Sequence, residues 1–388
     1  MKLTARTTWR AAAVTAVLSA ALVIPSMAQA TPAAHVPAAA VARAAATPRQ
    51  FRAAAMSWLS GHRGWLLGSA PCGNKHCTDV LATSNGGTNW SLAGVVSTPI
   101  ATQATLPDVG VGEVTFATPS VGWAYGPALF RTVSGGKSWQ AMTIPGKGHQ
   151  VLALASSSAA TYAVVSPCKE FALKCSGKLS FWRTSSPTGT SWTRIPLSLH
   201  GTGSPDIATF GPAVYVVVPG FPSAFYFSAN GKDFAARRPP SPCSAAQQSA
   251  LVQVVPTSAT GLALLCVGQP QIGMAVKTVY RSVNTGKTDT SAGTTSAPGV
   301  SAELAASPSG NLLVGAWAAG SVIYLNDSHK TKWSTALILG AGPGFNNLQF
   351  VSSKVAWVVW EPVTLSSEDL GKVYVTRDGG QHWSQATI

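Results

Sequence analysis

TRDGGQHW (Thr376–Trp383) is a turn written in sequence, and the chain repeats it as TSNGGTNW (Thr83–Trp90) and TVSGGKSW (Thr132–Trp139). The residue types explain one another. A Ser or Thr hydroxyl and an Asp or Asn side chain accept nearby backbone N–H groups and close a compact turn. Glycine supplies positive φ at no steric cost. The closing Trp is large enough to be buried between neighbouring layers. Four weaker copies follow the same logic. Thr184–Trp192 carries one extra residue around Pro187 and Gly189, and Ser228–Phe234 is one residue short and ends in Phe. Ser282–Gly286 keeps the spacing but has Asp289 where the aromatic belongs, and Asn326–Trp333 keeps the Trp without a glycine.

The closing positions, Trp90, Trp139, Trp192, Phe234, Asp289, Trp333 and Trp383, fall 42 to 55 residues apart. Seven units of that length, each with room for four short strands, specify an all-β seven-bladed propeller of four-stranded antiparallel blades. Expected inner strands include 114–116, 151–154, 207–210, 251–255 and 348–351. Expected second strands include 64–68, 122–126, 162–165, 214–218, 262–266, 312–316 and 356–360. The third strand of the last unit is 372–376 and its fourth is 383–388. Either blade 7 docks directly on blade 1, or residues near 50 add a strand to blade 7 and cover its edge.

Composition agrees. The 388 residues include 37 Gly, 26 Pro and 13 Trp, and only 10% are charged, too few for long solvent-facing helices. Residues 1–30 read as an export signal: Lys2, Arg6 and Arg10 precede the apolar run 11–24, and Ala28-Gln29-Ala30 forms a small-residue cleavage site. Residues 31–50 are an Ala/Pro-rich linker and 51–388 the propeller. No later stretch is long enough for a membrane span. Six cysteines in an exported chain read as disulfides, with local spacing pairing Cys72 with Cys77, Cys168 with Cys175 and Cys243 with Cys266. Neither a metal nor another cofactor is expected.

The motif resembles the Asp-box, or BNR, repeat, Ser/Thr-x-Asp-x-Gly-x-x-Trp. The matching positions here are Thr83, Asn85, Gly87 and Trp90; Thr132, Gly136 and Trp139; and Thr376, Asp378, Gly380 and Trp383. With the preceding FATPSVGWAYG (Phe116–Gly126), the pattern is most similar to propellers of the photosystem II assembly factor (Ycf48-like) group within the sialidase-like superfamily. In those relatives, arginines on the propeller form a partner-binding patch. Arg131, Arg183 and Arg281 precede boxes here, whereas blades 4 and 7 carry Phe227 and Val375. A hydrogen bond to a neighbouring carbonyl is therefore the preferred role of these arginines.

In a propeller the boxes occupy one face, and the second-to-third loops and blade connections occupy the other. All the proposed disulfides map to that second face, with long loops expected in blades 1, 3, 5 and 7. Loops braced in this way form a pre-organised recognition surface. Its candidate contacts are Lys75, His76, Lys169, Lys174, Arg237 and Arg238, with Glu361, Glu368 and Asp369 as an opposing acidic set. Without the signal, 24 Lys and Arg stand against 13 Asp and Glu, which favours anionic partners. The chain reads as an exported, envelope-associated monomer that binds a protein or an anionic wall polymer and not nucleic acid.

The alternative is a glycoside hydrolase of sialidase-like or xyloglucanase-like type. Arg194-Ile195-Pro196 matches a short sialidase signature but follows a box instead of preceding the first one. Asp108 and Asp206 are the best available acid pair, both expected in blade connections. No HExxH, P-loop or GxSxG motif is present.

Overall fold

The computed structural model describes residues 47–101, 109–168, 178–201, 203–244, 248–296, 298–317, 320–327, 331–340, 344–361 and 371–388. Their strands form seven four-stranded antiparallel sheets, each built from consecutive strands. The described residues contain no helix. The inner strands are Arg52–Trp58, Glu113–Phe116, Gln150–Ser156, Asp206–Phe210, Ser249–Pro256, Ser301–Ala306 and Gly344–Phe350. Second strands such as Ala213–Val218 (AVYVVV) are buried throughout, because each sheet is covered on both faces by its neighbours. Such strands become continuous apolar runs instead of alternating ones. Outer strands such as Ala235–Ala236 and Ser384–Gln385 are short and exposed.

The apolar core lies between the blades. Seven buried clusters each span one seam between adjacent sheets. The box aromatics contribute to the seam with the preceding blade. Trp90 meets Trp357 of blade 7 edge-on at 6.3 Å, Trp192 meets Trp123 at 5.6 Å, and Phe234 meets Phe181 at 5.2 Å. Blade 5, with Asp289 in place of the aromatic, has no such wedge, and its seam with blade 4 holds the buried cysteines Cys243 and Cys266.

The turns have the expected hydrogen bonds. Thr376 donates to Asp378 Oδ1 (2.8 Å) and accepts Gly380 N–H (3.0 Å), while Asp378 Oδ1 also accepts His382 N–H (3.0 Å). Thr83, Asn85 and Gly87 repeat this, as do Ser282, Asn284 and Gly286. Gly87 has φ 79°, and a Cβ there would collide with the Trp357 ring of the preceding blade. The turn also bonds to the first loop of its own blade: Gly86 N–H to His62 O (2.9 Å) and Gly379 N–H to Lys354 O (2.7 Å). Both loops therefore share one face.

A second set of bonds joins the inner strands. Asp206 Oδ2 accepts Val254 N–H (3.3 Å), Gln253 Oε1 accepts Leu304 N–H (2.6 Å), and Glu303 Oε2 accepts Leu348 N–H (2.9 Å). Asn347 Oδ1 accepts Met56 N–H (2.7 Å), and Ser57 Oγ accepts Phe116 N–H (2.9 Å). Five consecutive seams, from blade 4 around to blade 2, are thus bridged by a side chain of one blade that captures a backbone N–H of the next.

Closure decides between the two expected arrangements. Arg52–Trp58 pairs with Gly64–Cys72 as the inner strand of blade 1, so it adds no strand to blade 7. Among the described residues, the backbone-to-backbone bonds across that seam are those of the isolated bridge Ala53–Gly371, with N···O distances of 3.1 and 2.7 Å. The seam is held by side chains: Asn347, Asn346 Nδ2 donating to Ala54 O (2.9 Å), and Trp58 stacked on Trp357 at 4.9 Å. Asn347 also donates to Glu113 Oε2 (3.1 Å). Replacing it strands the Met56 N–H in a half-buried site, so Asn347→Leu is expected to cost about 2 kcal/mol. Urea unfolding checks this, with Asn74→Leu in the exposed blade 1 turn as the neutral control.

Candidate functional site

The face opposite the boxes is built from blade connections and second-to-third loops. Blade 1 departs from expectation there. Its strands run to Cys72 and restart at Lys75, leaving a tight two-residue hairpin where a long loop was expected. Gly73 turns it with φ 71°. The disulfide Cys72–Cys77 closes across this hairpin, with Cα atoms 5.8 Å apart. Cys243–Cys266 has Cα atoms 5.5 Å apart. It lies under the blade 4-to-5 connection, both residues at most 3% exposed, so it pins that connection from below. Cys168 is also disulfide-bonded, and Cys175 lies outside the described residues.

The candidate contacts separate. Lys75 and His76 are exposed on the blade 1 hairpin and Arg238 on the blade 4-to-5 connection, so they stand on different blades. Arg237 is half-buried with its guanidinium 4.9 Å from the Phe227 ring, an intramolecular packing contact. Lys169, Lys174, Glu368 and Asp369 lie outside the described residues, and Glu361 ends the strand Ala356–Glu361. The exposed cations of this face also include Lys147, Lys178 and Lys372. The exposed carboxylates among the described residues, Asp233, Asp289 and Asp378, are all in box turns. The loop face is therefore basic across its described surface. Cations on the box face, such as Lys137, Lys232 and Lys287, share it with those aspartates.

The other described carboxylates are Asp79, fully buried in blade 1, half-buried Asp327 in the blade 6 turn, Glu361 at the end of its strand, and three that line the central channel. The channel opens on the loop face as a cavity of about 660 Å³ and continues toward the box face as one of about 520 Å³. Glu113, Asp206 and Glu303 line it with Tyr125, and no Lys, Arg or His does. Asp206 was expected in a blade connection. It instead begins an inner strand, because its carboxylate is needed by Val254 N–H, and Asp108 lies outside the described residues. Burial pushes the Glu303 carboxyl up to about 8 and Asp206 to about 6, and raises Glu113 against the pull of the Asn347 and Asn346 amides. The Tyr125 phenol is driven up by burial and by the Glu113 charge. No group of metal-ligating side chains occurs among the described residues.

Two of the box arginines reach the following blade. Arg131 donates to Thr188 O, and Arg281 donates to Gly310 O (3.0 Å) and Asn326 Oδ1 (2.8 Å). They are seam contacts of the preferred, structural kind.

Solved structures share the fold. The chain is similar to "YCF48 bound to D1 peptide" (TM-score 0.50, 13% identity, 86% of this chain and 96% of that one). It is also similar to Sqt1 of Saccharomyces cerevisiae (0.52, 10%, 88% and 87%). A puromycin-hydrolysing peptidase of Mycobacterium tuberculosis matches as well (0.54, 11%, 90% of this chain but 55% of that one). No protein-family profile and no curated protein matches the chain. At these identities the likeness establishes the seven-bladed fold.

The channel carboxyls make a pH prediction. Each holds its proton to higher pH in the folded ring than in the unfolded chain. They therefore leave stability intact below the unfolded value near 4.5 and erode it as pH rises through about 6 and about 8. Thermal unfolding should show Tm falling from pH 5 to 9, and Glu303→Gln should flatten that decline and exceed the parent Tm at pH 9.

Proposed function

We propose that the chain is an exported, non-catalytic binding propeller that recognises a segment of a partner protein through its loop face. The observation that carries this reading is the charge segregation: cations are exposed on the loop face, while the exposed carboxylates among the residues of described burial lie in box turns. A surface that exposes one sign of charge selects partners of the other and speeds their encounter. Covalently fixed loops reduce the ordering cost of binding.

Three further points support it. Disulfides are consistent with an extracytoplasmic setting, as is the export signal read in residues 1–30. A structural neighbour with the same fold is described as bound to a peptide. The channel carboxyls serve the ring: Asp206 and Glu303 each accept a backbone N–H of the next blade, and Glu113 of blade 2 accepts the Asn347 amide of blade 7, which gives them a role without catalysis. The peptidase neighbour has nearly half its length outside the shared propeller.

In-cell photocrosslinking tests the assignment. A photoreactive phenylalanine at Lys75, Lys147 or Arg238 should yield discrete protein adducts that weaken when salt is raised before irradiation. The same probe at Lys137 or Lys232 on the box face should not. Adducts confined to the box face, or none at any position, would overturn the reading.

A further inference from the structure

Blade 5 presents an apolar stripe for which the propeller itself has no use. Between its second and third strands the chain folds back in a small hairpin, with Gln271 bridged to Met274. From there it alternates. Ala275 and Lys277 point inward, 4% and 0% exposed, while Ile272, Met274 and Val276 point outward, 100%, 46% and 55% exposed. Residues two apart share one side of an extended chain, so Met274 and Val276 line up on the surface, with Ile272 exposed in the turn just before them. Scattered exposed apolar residues need no explanation; a contiguous set beside a cavity does.

The cavity is there. A notch of about 430 Å³ lies between this hairpin and the blade 4-to-5 connection, walled by Pro242, Cys266, Met274, Ala275, Val276 and Tyr280. Its volume falls in the range of pockets that take a small ligand or a few side chains. Gln248, Gln269 and Gln271 also line it, residues able to offer donors and acceptors to a peptide backbone.

Both lips are fixed. Cys243–Cys266 pins the connection, and Gln269 N–H donates to Gln248 O (2.8 Å), tying it to the strand. On the other side Gly299 N–H donates to Gly273 O (3.0 Å). Lys277, wholly buried, donates through Nζ to Pro298 O (2.7 Å) and Gly299 O (2.9 Å). The hairpin is thus tied to the blade 5-to-6 connection, with Met274 and Val276 forming one wall of the notch. No charged residue lines the notch, whereas the connection that forms its other lip begins with the exposed Arg238.

Resting on the protein-binding reading above, we infer that this notch is the anchor site of the loop face. It takes an extended partner segment with a bulky apolar side chain flanked by acidic residues. The apolar side chain enters between Pro242 and Met274, and a flanking carboxylate meets Arg238 outside it. That charge selects this occupant, since a basic or neutral segment would gain nothing from it.

A random dodecapeptide phage library panned on the full oxidised chain tests the site. Enriched sequences should carry Leu, Ile, Phe or Met beside Asp or Glu. Synthetic versions should bind about tenfold more weakly to Met274→Glu and to Ile272→Asp, and without loss to Lys137→Glu on the box face. Ile272 is fully exposed, so its replacement cannot be lost to misfolding. Enriched peptides whose affinity is unchanged in both blade 5 variants would overturn the notch while leaving loop-face crosslinks standing, which separates its failure from that of the broader reading. Enrichment of basic or purely polar peptides, or of none, would overturn it too.

Discussion

The ring depends on side-chain acceptors that reach across the seams of its inner strands. An inner strand pairs on only one edge, with the second strand of its own blade, and its other edge faces the channel. N–H groups left unmet there would cost more than most single packing contacts return. Asp206, Gln253, Glu303, Asn347 and Ser57 each meet one such group on the following blade. The apolar seams supply the bulk of the stabilisation, but apolar packing is non-directional. The hydrogen bonds set how one blade sits against the next, and hence where loops and notch fall on the exposed face.

This arrangement was half visible in the sequence. The turns were legible because their chemistry is local: a hydroxyl, a carboxamide or carboxylate, a glycine and an aromatic within eight residues dictate one geometry. The second strands were legible as apolar runs. The seam acceptors were also written, as a polar residue directly before an aliphatic one in Asp206-Ile207, Gln253-Val254, Glu303-Leu304 and Asn347-Leu348. Their meaning depends on a neighbour about fifty residues away, so they read as strand boundaries. Asp206 was misplaced for this reason. The blade 1 loop was overestimated because Lys75 and His76 look like loop residues, whereas hydrogen bonding carries both strands to the disulfide. The anchor notch was not legible at all, since it requires the blade 4-to-5 connection and the blade 5 hairpin to face each other.

Charge is sorted across this architecture. The chain has few carboxylates, and most of the described ones are used locally: in turn closure, in seam bonding or in the core. What remains on the loop face is basic. Its positive field follows from the propeller's own needs as much as from any partner's, because the acids are consumed in making the ring. The box arginines show the same economy. Arg131 and Arg281 spend their guanidinium donors on carbonyls of the following blade, which takes them out of any recognition surface.

The seam between blades 4 and 5 differs from the other six in kind. Its box offers Asp289 where the others offer a ring, and the deficit coincides with a sulfur–sulfur link buried between two blades, Cys243–Cys266. A covalent clasp stands where a wedge is missing. That clasp and the notch share one joint, so whatever loosens the first also reshapes the second.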